Sequence, residues 1–248
     1  MLKLYKKSEL TFSLLWIGIY CIAMSAADNI SGTIGIQSVV SLPVIAILSI
    51  SLTIFVFKNG ICKQYGLCKS QLPCSRMLFY IPLAILLTVN LWHGVTLNYT
   101  PIETALYILT MLGVGFCEEL IFRGLLFNAM KKNNLTTAVI VSSVTFGIGH
   151  IINLFNGSGM DIIENAVQII SAIAVGFMFV MIYIKSESLI VCIITHGLFN
   201  SLSAFSQEAS ISTQKRLISC LFIIILCLTY TAALSLINKN INKAYKRK

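Results

Sequence analysis

A chain of 248 residues with 57% hydrophobic and only 11% charged residues, and a mean hydropathy of +0.87, does not have enough polar side chains to cover a water-soluble domain. Its net charge of +9 invites a nucleic-acid partner, but the lysines and arginines form no basic face or motif, and none is inferred. The composition is that of a polytopic membrane protein whose surroundings are the lipid bilayer.

Read with a window of about 19 residues, the apolar runs in chain order are 10–27, 39–57, 77–92, 104–130, 133–153, 165–184, 189–204 and 216–237. They predict an all-α polytopic membrane helix bundle of about eight transmembrane helices. The first run follows Lys3, Lys6 and Lys7 and ends in Ser25-Ala26-Ala27, so a cleaved signal peptide is its other reading. Lys58, Lys63, Lys69 and Arg76 lie between the second and third runs, Lys131 and Lys132 between the fourth and fifth, and Lys185 between the sixth and seventh. Lys239, Lys243, Lys246, Arg247 and Lys248 follow the eighth. The segments 28–38, 93–103 and 154–163 hold neither lysine nor arginine, so the positive-inside bias puts both termini in the cytoplasm. Lys215 and Arg216 run against this pattern unless they reach the headgroups from the edge of the last span.

The loop 58–76 carries Cys62, Cys68 and Cys74, which admits a metal knuckle. The spacing is not C-x-x-C, and packing thiols in a reducing compartment are the simpler account. No repeat, low-complexity linker or composition break divides the chain, so residues 1–248 read as a single transmembrane domain. The fourth run, about 27 residues or roughly 40 Å of helix, must tilt or project from the bilayer.

Three polar clusters interrupt the apolar runs: Glu118-Glu119-x-x-x-Arg123, Phe146-x-x-x-His150 and His196-x-x-x-Asn200. A charge at the bilayer centre costs roughly 2.5–3.5 kcal/mol, so the first cluster facing lipid would cost on the order of 8–10 kcal/mol. These groups must therefore face inward and find one another. On a helix Glu119 and Arg123 share a face and can pair, while Glu118 is rotated by about 100° from its neighbour. Glu119 with Arg123 then serves structure, and Glu118, desolvated and without that partner, is suited to act as general base. Phe146 with His150, and His196 with Asn200, also share helix faces by their four-residue spacing. His93, at the edge of the third run, reads as interfacial.

A Glu, His, His and Asn set can hydrolyse an amide, the carboxylate taking a proton from water and neutral donors holding the oxyanion. Glu118, His150 and His196 also make a possible one-zinc ligand set, although no H-E-x-x-H is present. Ser142 and Ser143 lack the elbow of a serine hydrolase. Rival readings are a proton-coupled transporter or channel, and a non-catalytic immunity or scaffold membrane protein.

In order and spacing the three clusters resemble the motifs of the CPBP family of intramembrane proteases, also called the Abi or CAAX amino-terminal protease family, related to the type II CAAX prenyl endopeptidases. The resemblance covers the core at about 104–204. It implies an intramembrane endopeptidase in which Glu118 and His150 activate water, His196 and Asn200 hold the oxyanion, and Glu119, Arg123 and Phe146 support the site. It leaves open a glutamate-type or a metallo-type mechanism. The Asn200 amide suits an oxyanion donor better than a zinc ligand and tilts the choice to metal-free chemistry. Bacterial relatives resemble peptide-maturation or bacteriocin self-immunity factors, and the Lys-, Ile- and Asn-rich composition suits a multi-pass protein of a bacterial cell membrane. The expected partner is a membrane-associated peptide or protein substrate; no soluble partner can be inferred.

Overall fold

The computed structural model describes residues 1–156, 161–207 and 212–237. Among these the chain is an all-α bundle with seven helices long and apolar enough to cross a membrane, and a shorter apolar one over Ile190–Phe205 that makes the eighth. At about 1.5 Å per residue the short one reaches roughly 24 Å, less than the approximately 30 Å of a bilayer core. It is also the one that carries His196 and Asn200.

Five of the longer helices start at a residue whose side chain caps them. After α1 (Leu2–Lys7), Ser8 caps α2 (Glu9–Ile34) by accepting from Thr11 N at 3.1 Å. Residues 25–27 lie inside unbroken α2, with Ala27 packed in the core. Gly35, at φ 78°, closes α2 and turns the chain toward α3 (Ser41–Lys58). Thr100 and Glu103 form a capping box around Pro101 at the start of α5 (Pro101–Glu119). The remaining spans are α7 (Leu135–Gly149) with a 3₁₀ extension His150–Leu154, α8 (Ile162–Ser186), α9 (Ile190–Leu202) and α10 (Thr213–Ser235).

Two spans differ from the plain helices expected. In the third, a 3₁₀ segment Cys74–Tyr80 precedes α4 (Ile81–Thr88), and Leu78, Phe79 and Tyr80 all have left-handed φ of 51°, 52° and 56°. Pro82 has no N–H for the carbonyl four residues back and its ring would clash with it, so a helix cannot run through from Leu78. In the fourth, α5 passes into a π-helical segment, Leu120–Phe127, before α6 (Asn128–Lys131). Such wide turns misalign main-chain carbonyls, which must be satisfied inside the bundle. Ser142 Oγ donates to Phe122 O at 2.9 Å, and Asn128 Nδ2 donates to Gly124 O at 2.6 Å and Arg123 O at 3.1 Å.

Glycines set how closely the site helices approach. A Cβ on Gly115 of α5 would lie 2.5 Å from Gly197 N of α9. A Cβ on Gly147 would lie 2.9 Å from Ile169 O, and one on Gly176 would meet Ser143 Cα at 3.1 Å, which locks α7 against α8. At the end opposite the lysine-rich loops Arg216 Nη1 pairs with Glu164 Oε1 at 2.9 Å, which gives the discordant arginine a partner, and His93 Nε2 meets Ser219 Oγ at 2.8 Å. Cys62, Cys68 and Cys74 are free thiols and join no metal-binding group among the described residues. Lys239 through Lys248 lie outside the described residues.

Because the Gly115 contact is with main chain, nothing flexible can yield. Gly115→Ala is expected to lower the melting temperature of the detergent-solubilised protein, at about 1–3 kcal/mol of overpacking. Gly18→Ala, which meets nothing within 4 Å, leaves it unchanged or raised. Equal melting of the two variants would contradict this account of helix approach.

Candidate active site

Glu118 and Glu119 are the last two residues of α5, at the point where the helix widens. Glu119 is fully buried, and its Oε1 sits 3.0 Å from Arg123 Nη1, itself fully buried. The same oxygen lies 2.9 Å from His196 Nδ1 on α9. One carboxylate thus ties two spans together. Arg123 Nε and Nη2 and Glu119 Oε2 are buried with no hydrogen-bond partner, so the pair is incompletely satisfied by conventional bonds. The aromatic shell offsets part of the deficit. The guanidinium carbon stands 4.0 Å from the Phe146 ring centroid and 5.7 Å from that of Phe179.

Phe146 is therefore more than a spacer. Its ring lies edge-on to His150 at 5.3 Å, to His196 at 5.7 Å and to Phe122 at 5.4 Å, and holds both imidazoles around the guanidinium. His150 Nδ1 is 3.1 Å from Phe146 O. A carbonyl can only accept, so in this contact Nδ1 is the donor. Asn165 Nδ2 donates to His150 O at 2.8 Å and fixes the turn at which α7 tightens into its 3₁₀ extension.

Glu118 has a different environment, as its rotation on the helix predicts. Tyr20 of α2 donates its hydroxyl to Glu118 Oε1 at 2.6 Å, and His196 Nε2 faces Glu118 Oε2 at 3.5 Å. His196 is thus clasped between the two carboxylates and is only 6% exposed. Glu118, Phe146, His150 and Asn200 line a cavity of about 520 Å³, together with Tyr20 and Phe122. His196 stands behind Glu118 rather than on the cavity wall. All seven motif residues come to one place, from α5 and its π segment, α7 with its extension, and α9.

Two residues of the site carry no sequence signal. Tyr20 belongs to a span without motif residues, and Phe179 shares α8 with two other aromatics, Phe177 and Tyr183, from which no motif sets it apart. A hydroxyl eleven residues into an apolar span is the only hint for Tyr20, and nothing in the spacing links it to Glu118. Among the described residues no group of three His, Cys, Asp or Glu side chains is arranged to hold a metal ion. Glu118, His150 and His196, the set expected to hold zinc if a metal is used, all stand at this site, with His196 behind Glu118.

Residues 100–202 match the family model described as type II CAAX prenyl endopeptidase Rce1-like. No curated protein and no solved structure matches the chain. The matched segment contains all seven motif residues and agrees with the CPBP resemblance, so over these residues the chain is similar to a family of proteases.

Arg123→Met leaves Glu119 charged, buried and short of a partner, and is expected to destabilise the protein by about 3–5 kcal/mol, read as a fall in thermal unfolding temperature in detergent. Glu119→Leu combined with Arg123→Met recovers part of that loss. A double variant no better than Arg123→Met alone would show that the pair is not where the energy resides.

Proposed function

Proceeding from this similarity, set in a multi-span membrane bundle, we propose that this chain is a glutamate-type intramembrane endopeptidase that hydrolyses a peptide bond in a membrane-associated peptide or protein. The observation that carries this reading is the Glu118 carboxylate on the cavity wall, held by the Tyr20 hydroxyl and facing the same space as His150 and Asn200.

In this scheme a water molecule lies between the Glu118 carboxylate and His150 Nε2. Glu118 takes its proton as the oxygen attacks the carbonyl carbon of the scissile peptide. The negative charge moves to the carbonyl oxygen, where the Asn200 side-chain amide donates to it. As the tetrahedral intermediate collapses, the C–N bond breaks and Glu118 returns the proton to the departing amine. His196, one turn before Asn200 on α9, orients Glu118 from behind while its other nitrogen is anchored on Glu119. This assigns the oxyanion to Asn200 more directly than to His196. The water-excluding shell of Phe122, Phe146 and helix backbone keeps these charge shifts in a low-dielectric space, where preorganised donors act strongly.

In this reading the positive-inside bias assigns the end of the bundle that carries the lysine-rich loops to the cytoplasm. From Glu118 the cavity extends the other way, toward Asn90, Gln37, Ser38 and Ser41, while Leu120–Asn128 on the cytoplasmic side are all buried. Substrate therefore reaches Glu118 from the extracytoplasmic face of a bacterial cell membrane, which fits peptide maturation or bacteriocin self-immunity.

Purified protein in detergent should cleave a quenched-fluorescence peptide drawn from exported bacterial peptides. Glu118→Gln is expected to lower kcat about 10²–10⁴-fold without unfolding the protein. Tyr20→Phe, which removes a hydrogen bond to a charged group, lowers kcat by about ten- to a hundredfold with KM little changed. Cleavage that survives Glu118→Gln removes the base, and cleavage abolished by a chelator and restored by zinc overturns the metal-free scheme. Glu118-dependent proton flux in liposomes with no cleavage of any peptide would favour a channel.

A further inference from the structure

The cavity has a chemistry of its own beyond the catalytic end. Asp28 and Glu118 are the carboxylates that line it, and among the described residues no lysine or arginine does. Asp28 is on the same helix as Tyr20, eight residues further along, which places it roughly 12 Å from the Tyr20 level along the axis. Ser41 Oγ donates to Asp28 Oδ1 at 2.5 Å and fixes the carboxylate at the wall. The same wall also offers amides, including Asn90, Asn153 and Gln168. Asn153 Nδ2 donates to Gln168 Oε1 at 2.9 Å, and Asn90 Nδ2 donates to Phe199 O at 2.6 Å.

A wall of fixed amides suits a peptide main chain, which can replace each lost contact with water. An isoprenoid chain would strip those groups at about 1–3 kcal/mol each and return nothing. A narrow space with low-dielectric walls and charge of one sign also concentrates the opposite charge. Extended peptide advances about 3.3–3.6 Å per residue, so 12 Å spans three to four residues.

Resting on the endopeptidase reading above, we propose that this cavity is the binding path for an unprenylated peptide, and that Asp28 is a specificity residue that receives a lysine or arginine side chain three to four residues from the scissile bond. Glu118 does the chemistry at one end, and Asp28 reads charge near the other.

The test uses the full chain in detergent micelles and a set of quenched peptides sharing one cleaved sequence, with Lys or Gln placed at each of several positions on either side of the cut. With Lys three or four residues away on one side, kcat/KM is expected to exceed that of the Gln peptide by about tenfold, and the preference shrinks as salt is raised. Asp28→Asn abolishes the preference while the Gln peptide is still cleaved, and Asp28→Lys turns it toward Glu. Equal kcat/KM for Lys and Gln peptides at every position in the wild type, or a Lys preference that survives Asp28→Asn, overturns the assignment. Should Asp28 variants fail to fold, the salt dependence of the wild-type preference decides alone. If the wild type cleaves none of the peptides, the endopeptidase reading falls separately. Binding of the same labelled peptides to Glu118→Gln then judges Asp28: tighter binding of the Lys peptide that weakens with salt upholds it, and equal binding ends it.

Discussion

Burying a guanidinium and a carboxylate in the middle of a membrane bundle is the constraint around which the rest of this molecule is arranged. Arg123 and Glu119 are both fully buried, four residues apart on one helix, and could in principle satisfy only each other. They do more. The shared oxygen Glu119 Oε1 also takes His196 from α9, and the guanidinium lies over Phe146 from α7. A charge that would be expensive alone becomes the point at which three spans are registered against one another. The close contact of Gly115 with Gly197 has the same consequence, because α9 must approach α5 closely for His196 to reach Glu119. Packing and ion pairing therefore specify a single geometry, and that geometry also fixes Glu118.

Adjacent carboxylates are given different work by helix rotation. Glu119 points into the packed interface and meets the Arg123 guanidinium and the His196 imidazole, while Glu118 turns toward the cavity and meets a tyrosine hydroxyl and the far nitrogen of the same imidazole. His196 is the link between them: its contact with Glu119 sets the ring plane, and that plane sets which atom faces Glu118. A site organised in this way separates a packed, paired carboxylate from one that faces a cavity by one residue of sequence. The cost of holding a second carboxylate at depth is met by the cavity, whose polar wall and volume of about 520 Å³ can admit water to Glu118.

Much of this was legible in the residues, and the reason is periodicity. Four-residue spacing puts two side chains on one helix face whatever the tertiary structure, so the pairing of Glu119 with Arg123 and the joint placement of Phe146 with His150 follow from chain order. Hydropathy likewise finds all eight apolar helices, even the short Ile190–Phe205, because a lipid-facing helix must be apolar over its length. What was not legible depends on contacts between distant segments. Tyr20 reaches Glu118 across 98 residues, and no local rule distinguishes it from an interfacial tyrosine. The π segment Leu120–Phe127 is apolar and helix-compatible throughout, apart from Arg123. Its wider turn is made tenable by donors elsewhere, Ser142 on the neighbouring span and Asn128 one turn on. The left-handed run Leu78–Tyr80 had a local cue in Pro82, which hydropathy averaging overlooks.

The wide turn and the two adjacent carboxylates belong together physically. Glu118 and Glu119 end a regular α-helix, and the next eight residues follow a different turn, so the rotation of Arg123 about the axis is not the one a straight α-helix would give. Arg123 nevertheless meets Glu119 and the Phe146 face at once, two partners on different helices that a guanidinium can serve only from a particular rotation. Ser142 and Asn128 donate to carbonyls of the wide turn, Asn128 donating also to the Tyr183 hydroxyl, and neither lines the cavity. In a membrane, where water cannot repair a broken helix bond, such a segment persists only because neighbouring spans supply those donors. The wide turn and the placement of the ion pair are then a single feature, and removing either donor should loosen the site before it unfolds the bundle.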